Sequence, residues 1–530
     1  MRLWALIIIG LTGLCGSCQE SGPPLPDPAE PRRVSSDNFT IVTESRIDAR
    51  AILADLEQLR LAALQDWGKD YPPDEIRPIV LTFIKEPEIY FAIAPLSHAA
   101  GYYAVSPMGD NIVIFDSPEF SEGDPQWATD LQNITRHEAV HALMHRHLPY
   151  AFPIWADEGL AEYYSNFERS ENGDVVFGSF LNTGDPSGWP ESRTLFRHFS
   201  YYPDFGDPLD ENYLDAATQF YEFSHLLAHR LLRHEDGLNA LHAWHVALAG
   251  GASMMQASWD LLSVDGPDAS RDIGSAIYDD GPTLRWAQNV PDVTVDMVDR
   301  IDLDEPEYAA HLRRLVRVHR PLEGESRRPV YGRLMQARSD AADYHLARAY
   351  EFFNLTDFDQ SRDFLALSLE RDPLLPEALY LQAMLSMVDV MRFPGQTRFL
   401  DKAREDFLKA AEQMDDPSQL YLIRLAFLHD IPTHVMLSQD AALTEAEIVN
   451  HLDWLQTRQV HVKLPHMAHL LIRPFREADR TSYARELFHI AVHHAATRQE
   501  KENLWMAHAW HLKPLDRSQL IPELEDIASD

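Results

Sequence analysis

A pair of histidines in His137-Glu138-Ala139-Val140-His141, followed after sixteen residues by Glu158, constrains this chain more than any other feature. On an α-helix, residues four apart are separated by about 400° of rotation, so both imidazoles leave the same face one turn apart. Such a face can grip one divalent cation, with Glu138 beside the ligands as a carboxylate able to take a proton. The chain must therefore be helical across this stretch and must bring a second element, carrying a third ligand, onto that face. The pentapeptide alone is short enough to arise by chance in a chain with 25 His, so its surroundings decide.

Those surroundings are helical on both sides of a break. Leu131, Ile134, Ala142 and Leu143 supply an apolar stripe, and the spacing predicts an amphipathic helix from about Pro125 to His147. Pro149 and Pro153 end it, and a second helix is predicted from about Ile154 to Asn166. It carries Glu158 within Trp155-Ala156-Asp157-Glu158-Gly159-Leu160-Ala161-Glu162.

Two residues compete for the place of third ligand. His147 lies six residues after His141, a spacing that serves when a Gly three residues after the second His lets the backbone turn. Here that position is Met144, a good helix former. On a continuing helix His147 sits about 600° from His141, effectively 240°, and points away. Glu158 is therefore the expected ligand. His145 shares the ligand face one turn further along; it either lines the cleft or is solvated, and the solvated reading is favoured.

The run from His137 to His141, followed by Trp155-x-x-Glu158-Gly159-x-Ala161-Glu162, resembles the gluzincin branch of zinc metallopeptidases, and within it the bacterial peptidase MA-like domains. The resemblance implies that His137, His141 and Glu158 hold Zn²⁺ and that Glu138 is the general base. It also implies that Glu162 stands behind His137 and fixes its tautomer. The expected fold class is an α+β zincin-like catalytic domain, a small sheet beside the active-site helices, over residues 38–300. Ile79–Ile84 and Ile112–Phe115 are β-branched apolar runs and read as its strands. In such enzymes an edge strand holds the extended substrate by main-chain hydrogen bonds. A later helix around Ala216–Leu227 resembles the one that carries an oxyanion-stabilising residue, with Tyr221 the candidate and His225 its substitute.

The amino terminus points to export. After Met1-Arg2, Leu3–Leu14 is an apolar run of signal-peptide length, too short to span a bilayer. Gly16-Ser17-Cys18 resembles the bacterial lipobox, so residues 1–18 are expected to be a lipoprotein signal peptide whose cleavage leaves Cys18 as the lipidation site. Simple secretion is the alternative. The chain has 2 Cys, Cys15 and Cys18, so cleavage and acylation would leave no disulfide and stability must come from core burial. Residues 19–37, rich in proline between Pro23 and Pro31, read as an extended tether. The expected location is the bacterial envelope, lipid-anchored to the membrane and facing the periplasm or exterior. The formal charge of −37 argues against nucleic acid and against direct attraction to anionic lipid. A local cluster, Arg313, Arg314, Arg317 and Arg320, reads as a solvated helix face in a linker region, 301–340.

From 341 to 530 the chain is predicted to be an all-α helical-repeat domain. Tyr344, Leu346, Ala347 and Tyr350, then Phe358, Ser361, Leu365 and Ser368, then Asp372-Pro373, resemble a degenerate tetratricopeptide unit. A second unit from Glu377 through Ala403, Phe407 and Ala410 to Asp416-Pro417 exceeds the usual period of about 34 residues and calls for an insertion near Arg392–Leu400. Further helices are expected at Tyr421–Leu428, Glu445–Gln456 and Ser482–Thr497. Such stacks present surfaces for a protein partner. The reading that follows is a zinc peptidase acting on peptide or protein substrates. The alternative is a catalytically silent peptidase-like scaffold in which the helical repeats serve assembly.

Overall fold

The computed structural model describes residues 30–69, 78–93, 100–106, 109–116, 125–148, 152–179, 211–234, 236–252, 254–262, 282–291, 293, 299–303, 307–309, 311–312, 315, 342–393, 396–414, 452–453, 456, 468–495 and 498–513. The architecture is mixed α/β with small sheets, followed by a helical region. Cys15, Cys18, most of the tether, the arginine cluster at 313–320 and the expected helix at Tyr421–Leu428 lie outside the described residues, as does most of Glu445–Gln456. Among the described residues no helix is long and apolar enough to cross a membrane.

The first half is built on two sheets. Strands β1 (Arg32–Ser35), β2 (Phe39–Thr43), β3 (Ile79–Ile84), β4 (Gly101–Ser106), β5 (Gly109–Phe115) and β9 (Asp299–Asp302) form one, in the order β4-β5-β3-β2-β1-β9. Its centre, β2-β3-β5, is parallel, and β4 closes one edge antiparallel to β5. Strands β6 (Phe167–Arg169), β7 (Val175–Phe177) and β8 (Arg285–Ala287) form a smaller antiparallel sheet.

Parallel strands need apolar residues on both faces, because helices cover both. Phe39, Ile41, Ile79, Leu81, Phe83, Ile112 and Ile114 join one core with helix α1 (Ala49–Asp66) and helix α3 (Pro125–His147). The alternate residues Val42, Ile84, Val113 and Phe115 pack on the other side with Tyr90 and Ile93 of helix α2 (Pro87–Ile93). That alternation is the period-2 signature of the strands. Each fully buried Ile, Leu, Val or Phe side chain contributes about 1.5–3 kcal/mol by leaving water.

Two of the expected boundaries move. Arg32–Ser35, read as the end of the tether, is strand β1, paired on one side with β2 and on the other with β9. The linker region beginning at 301 contains the end of β9 and supplies Tyr308, Leu312 and Leu315 to the second core, while His311 Nε2 lies 2.7 Å from Thr82 Oγ1. This unit therefore closes on itself, its first and last strands adjacent in one sheet.

Helix α3 is locked to α1 by Arg136, whose Nε donates to Asp55 Oδ2 at 2.7 Å and whose guanidinium lies 4.1 Å over the Phe167 ring. Helix α4 (Ile154–Ser165) packs against α3 and against helix α5 (Glu211–Arg233). Helices α6 (Ala240–Ala249) and α7 (Met254–Leu262) complete this half.

In the second half α8 (Ala342–Asn354) pairs with α9 (Phe358–Arg371), and α10 (Pro376–Arg392) with α11 (Thr397–Glu412). Small residues set the crossing: buried Ser361 and Ser368 donate to the α8 carbonyls of Ala349 and Ala342, at 2.8 and 2.9 Å. From Ala342 to Pro376 the interval is 34 residues; where an insertion is expected, α10 ends at Arg392 and α11 begins at Thr397. Part of the extra length lies within the helices, which run 17 and 16 residues in the second pair against 13 and 14 in the first. Helices α12 (His469–Glu477), α13 (Thr481–His494) and α14 (Arg498–Leu512) follow, and α13 rests on α6.

Candidate metal centre

Helices α3 and α4 cross with opposed registers, and this crossing builds the site. His137 faces Glu158 and Glu162, His141 faces Glu158 and Asp157, and His145 faces Asp157. Moving up one helix by turns moves down the other. Three atoms converge at the centre: His137 Nε2 and His141 Nε2 are 3.1 Å apart, and Glu158 Oε2 lies 3.1 Å from the first and 3.5 Å from the second. His137, His141 and Glu158 form the metal-competent group found among the described residues.

The outer nitrogens are held as well. Glu162 Oε1 is 3.3 Å from His137 Nδ1, and Asp157 Oδ1 is 3.1 Å from His141 Nδ1. An Nδ1–H donated to each carboxylate leaves both Nε2 lone pairs facing inward, the tautomer that ligation needs. Glu158 is almost fully buried, its side chain 3 % exposed. A buried carboxylate is costly unless it meets positive charge.

Electrostatics point the same way. Burial pushes both imidazoles down, but Glu158 and Glu162 around His137, and Asp157 and Glu158 around His141, outweigh it and hold both well above the usual range. Glu158 and Asp157 are in turn held low by the histidines in spite of burial. The same carboxylates would offset the charge of a cation held between the imidazoles. This donor set of two nitrogens and one carboxylate oxygen suits a divalent transition metal. Burial lifts the Glu138 carboxyl above its ordinary value, an effect only partly offset by His137 and His141.

His147 is not part of this group. It lies at the end of α3 with its pKa pushed down to about 4 by burial and by Arg60, Arg146 and Lys69. The continuous helix expected from Met144 thus separates His147 from His141, as the rotation required.

Tyr221 on α5 sits beside the cluster, its ring centroid 6.3 Å from that of His137 and edge-on to it. His225, one turn on, is fully buried, with its Nε2 3.1 Å from His229 Nε2. It faces another histidine, and Glu162 on α4 lies within electrostatic reach of it. His145 has a partner that its sequence position did not announce. Its side chain is 30 % exposed, and its Nε2 also lies 3.3 Å from Asp157 Oδ2. Asp157 itself is the site residue that sequence reasoning missed. The available signal was a histidine on each of three successive turns of α3, His137, His141 and His145, opposite acids spaced along α4.

Gly159 explains why α5 can come this close. A Cβ there would stand 2.0 Å from the Ser224 carbonyl oxygen, a backbone atom that cannot swing aside. Gly159→Ala must therefore push α5, with Tyr221, away from α4. The expected loss is about 1–3 kcal/mol of stability, measured by denaturant unfolding. An unchanged midpoint would show that the close crossing is not required.

Strand β4 lies against α3 just as tightly. A Cβ on Gly101 would meet Ile134 and Ile114 side-chain atoms at 2.8 and 2.9 Å and Glu138 Cγ at 3.2 Å. The edge of the large sheet thus runs directly past Glu138. Comparison with protein-family models, with curated proteins and with solved structures found no match, so the site's own geometry carries the functional reading.

Proposed function

We propose that the chain is a zinc-dependent peptidase of the gluzincin type, built on a zincin-like domain, and that it cleaves peptide bonds within proteins or peptides of the cell envelope or its surroundings. The observation that carries this reading is the convergence of His137 Nε2, His141 Nε2 and Glu158 Oε2, with Glu138 nearly buried beside them on the same helix. Zinc, when bound by these three residues, polarises a carbonyl and acidifies water. Glu138 takes the proton released from water and delivers it to the departing amine. Its raised pKa makes it a stronger base than a solvated carboxylate and suits it to both transfers. Glu162 and Asp157 keep His137 and His141 in one tautomer, so the ligand geometry need not reorganise during turnover. Tyr221, next to His137, is the candidate donor to negative charge developing on the carbonyl oxygen.

The edge position of β4 supports a mode of substrate binding. An extended peptide added as a further strand would be held by main-chain hydrogen bonds, past Glu138 and with little sequence selectivity. The same reading places the enzyme in the envelope, anchored through Cys18, with α8–α11 as tetratricopeptide-like helices that dock a protein partner.

The test is a peptide-library digest with and without a chelator. Cleavage is expected in the untreated protein, loss after chelation and recovery on adding zinc. Cuts within the peptides rather than residue by residue from the amino end would identify an endopeptidase. Chelator-insensitive cleavage would refute the zinc assignment.

A further inference from the structure

The Asp157 carboxylate bridges two imidazoles one turn apart on α3: Oδ1 lies 3.1 Å from His141 Nδ1 and Oδ2 lies 3.3 Å from His145 Nε2. Only the first of these histidines belongs to the metal-competent group. We infer that His145 is a positioning residue for the metal centre, acting through Asp157 on the orientation of His141. This rests on the metal reading of His137, His141 and Glu158.

A carboxylate with one hydrogen bond can rotate about its Cβ–Cγ bond and turn toward water; a second donor on the other oxygen fixes its plane. Asp157 needs that restraint, because its side chain is 25 % exposed whereas Glu158 is 3 % exposed. His145 can provide it, because its own ring is fixed. The Tyr103 ring lies 5.5 Å from it on one side and the Phe152 ring 6.1 Å away. Tyr103 is itself tied by its hydroxyl, which donates to Asp110 Oδ1 at 2.8 Å, while Arg146 Nε donates to Asp110 Oδ2 at 2.9 Å. The result is a chain of contacts from Tyr103 on β4, through His145 and Asp157, to His141.

The chemistry sets a direction. An Nε2–H on His145 donates to Oδ2, and Asp157 accepts from His141 through Oδ1, leaving the His141 Nε2 lone pair inward. Loss of the His145 donor releases the carboxylate without removing it. The effect on metal binding should then be smaller than the roughly 10–100-fold typical of losing a residue that directly contacts a ligand histidine.

Two variants separate donor from bulk. His145→Phe keeps an aromatic ring between Tyr103 and Phe152 but cannot donate; His145→Gln restores an N–H donor. Zinc affinity by competition with a chromophoric chelator, and the visible spectrum of the cobalt(II)-loaded protein, report on ligand geometry without turnover. His145→Phe is expected to weaken zinc binding about 3–10-fold and to shift the cobalt bands, with His145→Gln within about twofold of wild type. Wild-type affinity and spectrum in His145→Phe would overturn the inference while leaving the metal centre standing. So would equal weakening in both variants, since that pattern marks lost packing. A wild-type protein that takes up neither zinc nor cobalt would overturn the metal reading and this inference with it.

Discussion

Glu138→Gln is expected to keep its metal and lose its activity. The substitution preserves the size of the side chain and removes only the ability to accept a proton. Glu138 is nearly buried, contributes no atom to the converging ligand set, and has its pKa raised mainly by burial. Its loss should leave His137, His141 and Glu158 in place. General bases of this kind contribute about 10²–10⁴-fold to rate, so peptide cleavage should fall by about that factor. Equal zinc stoichiometry in variant and wild type would locate the defect in proton transfer. Cleavage by the variant at the wild-type rate would remove Glu138 from the mechanism.

Glu158→Ala should act on the step before chemistry. Glu158 Oε2 approaches both ligand nitrogens, and its side chain is 3 % exposed, so no nearby water or neighbouring carboxylate replaces it without rearrangement. Zinc affinity is expected to fall by more than the roughly 10–100-fold that follows loss of an outer partner. The parallel variant His147→Ala should bind zinc as wild type does, because His147 lies outside the converging group of His137, His141 and Glu158. The reverse pattern, normal affinity in Glu158→Ala and loss in His147→Ala, would return the third ligand to His147.

The ligand helix was readable from sequence because local rules govern it. Apolar spacing and the proline breaks predict Pro125–His147 and Ile154–Asn166, and the helices observed are Pro125–His147 and Ile154–Ser165. Met144 was enough to choose Glu158 over His147, since one residue decided whether the helix could turn. Ile79–Ile84 was readable for the same reason, being a β-branched run between turn residues.

What escaped depends on contacts between distant segments. Strand β1 offers only Val34 as an apolar residue and follows a proline-rich stretch, so its pairing with β9 has no local signal. Asp157 and His145 meet only because α4 runs opposite in register to α3, which no spacing within either helix reveals. His225 shares a helix face with Tyr221, yet it pairs with His229 while Tyr221 stands against His137. Helical periodicity gives the face and not the partners. In the second half, the excess over 34 residues looked like an inserted loop. Longer helices absorb part of it instead, a distinction the sequence hides because Pro394-Gly395 signals a break without giving its length.

The most direct test of the metal centre is the zinc content of the wild-type protein, purified without added metal and measured by mass spectrometry against protein concentration. One zinc per chain, lost in His141→Ala and retained in Glu138→Gln, is the predicted result. A wild-type chain that holds no zinc, even after incubation with the metal and gel filtration, would contradict it.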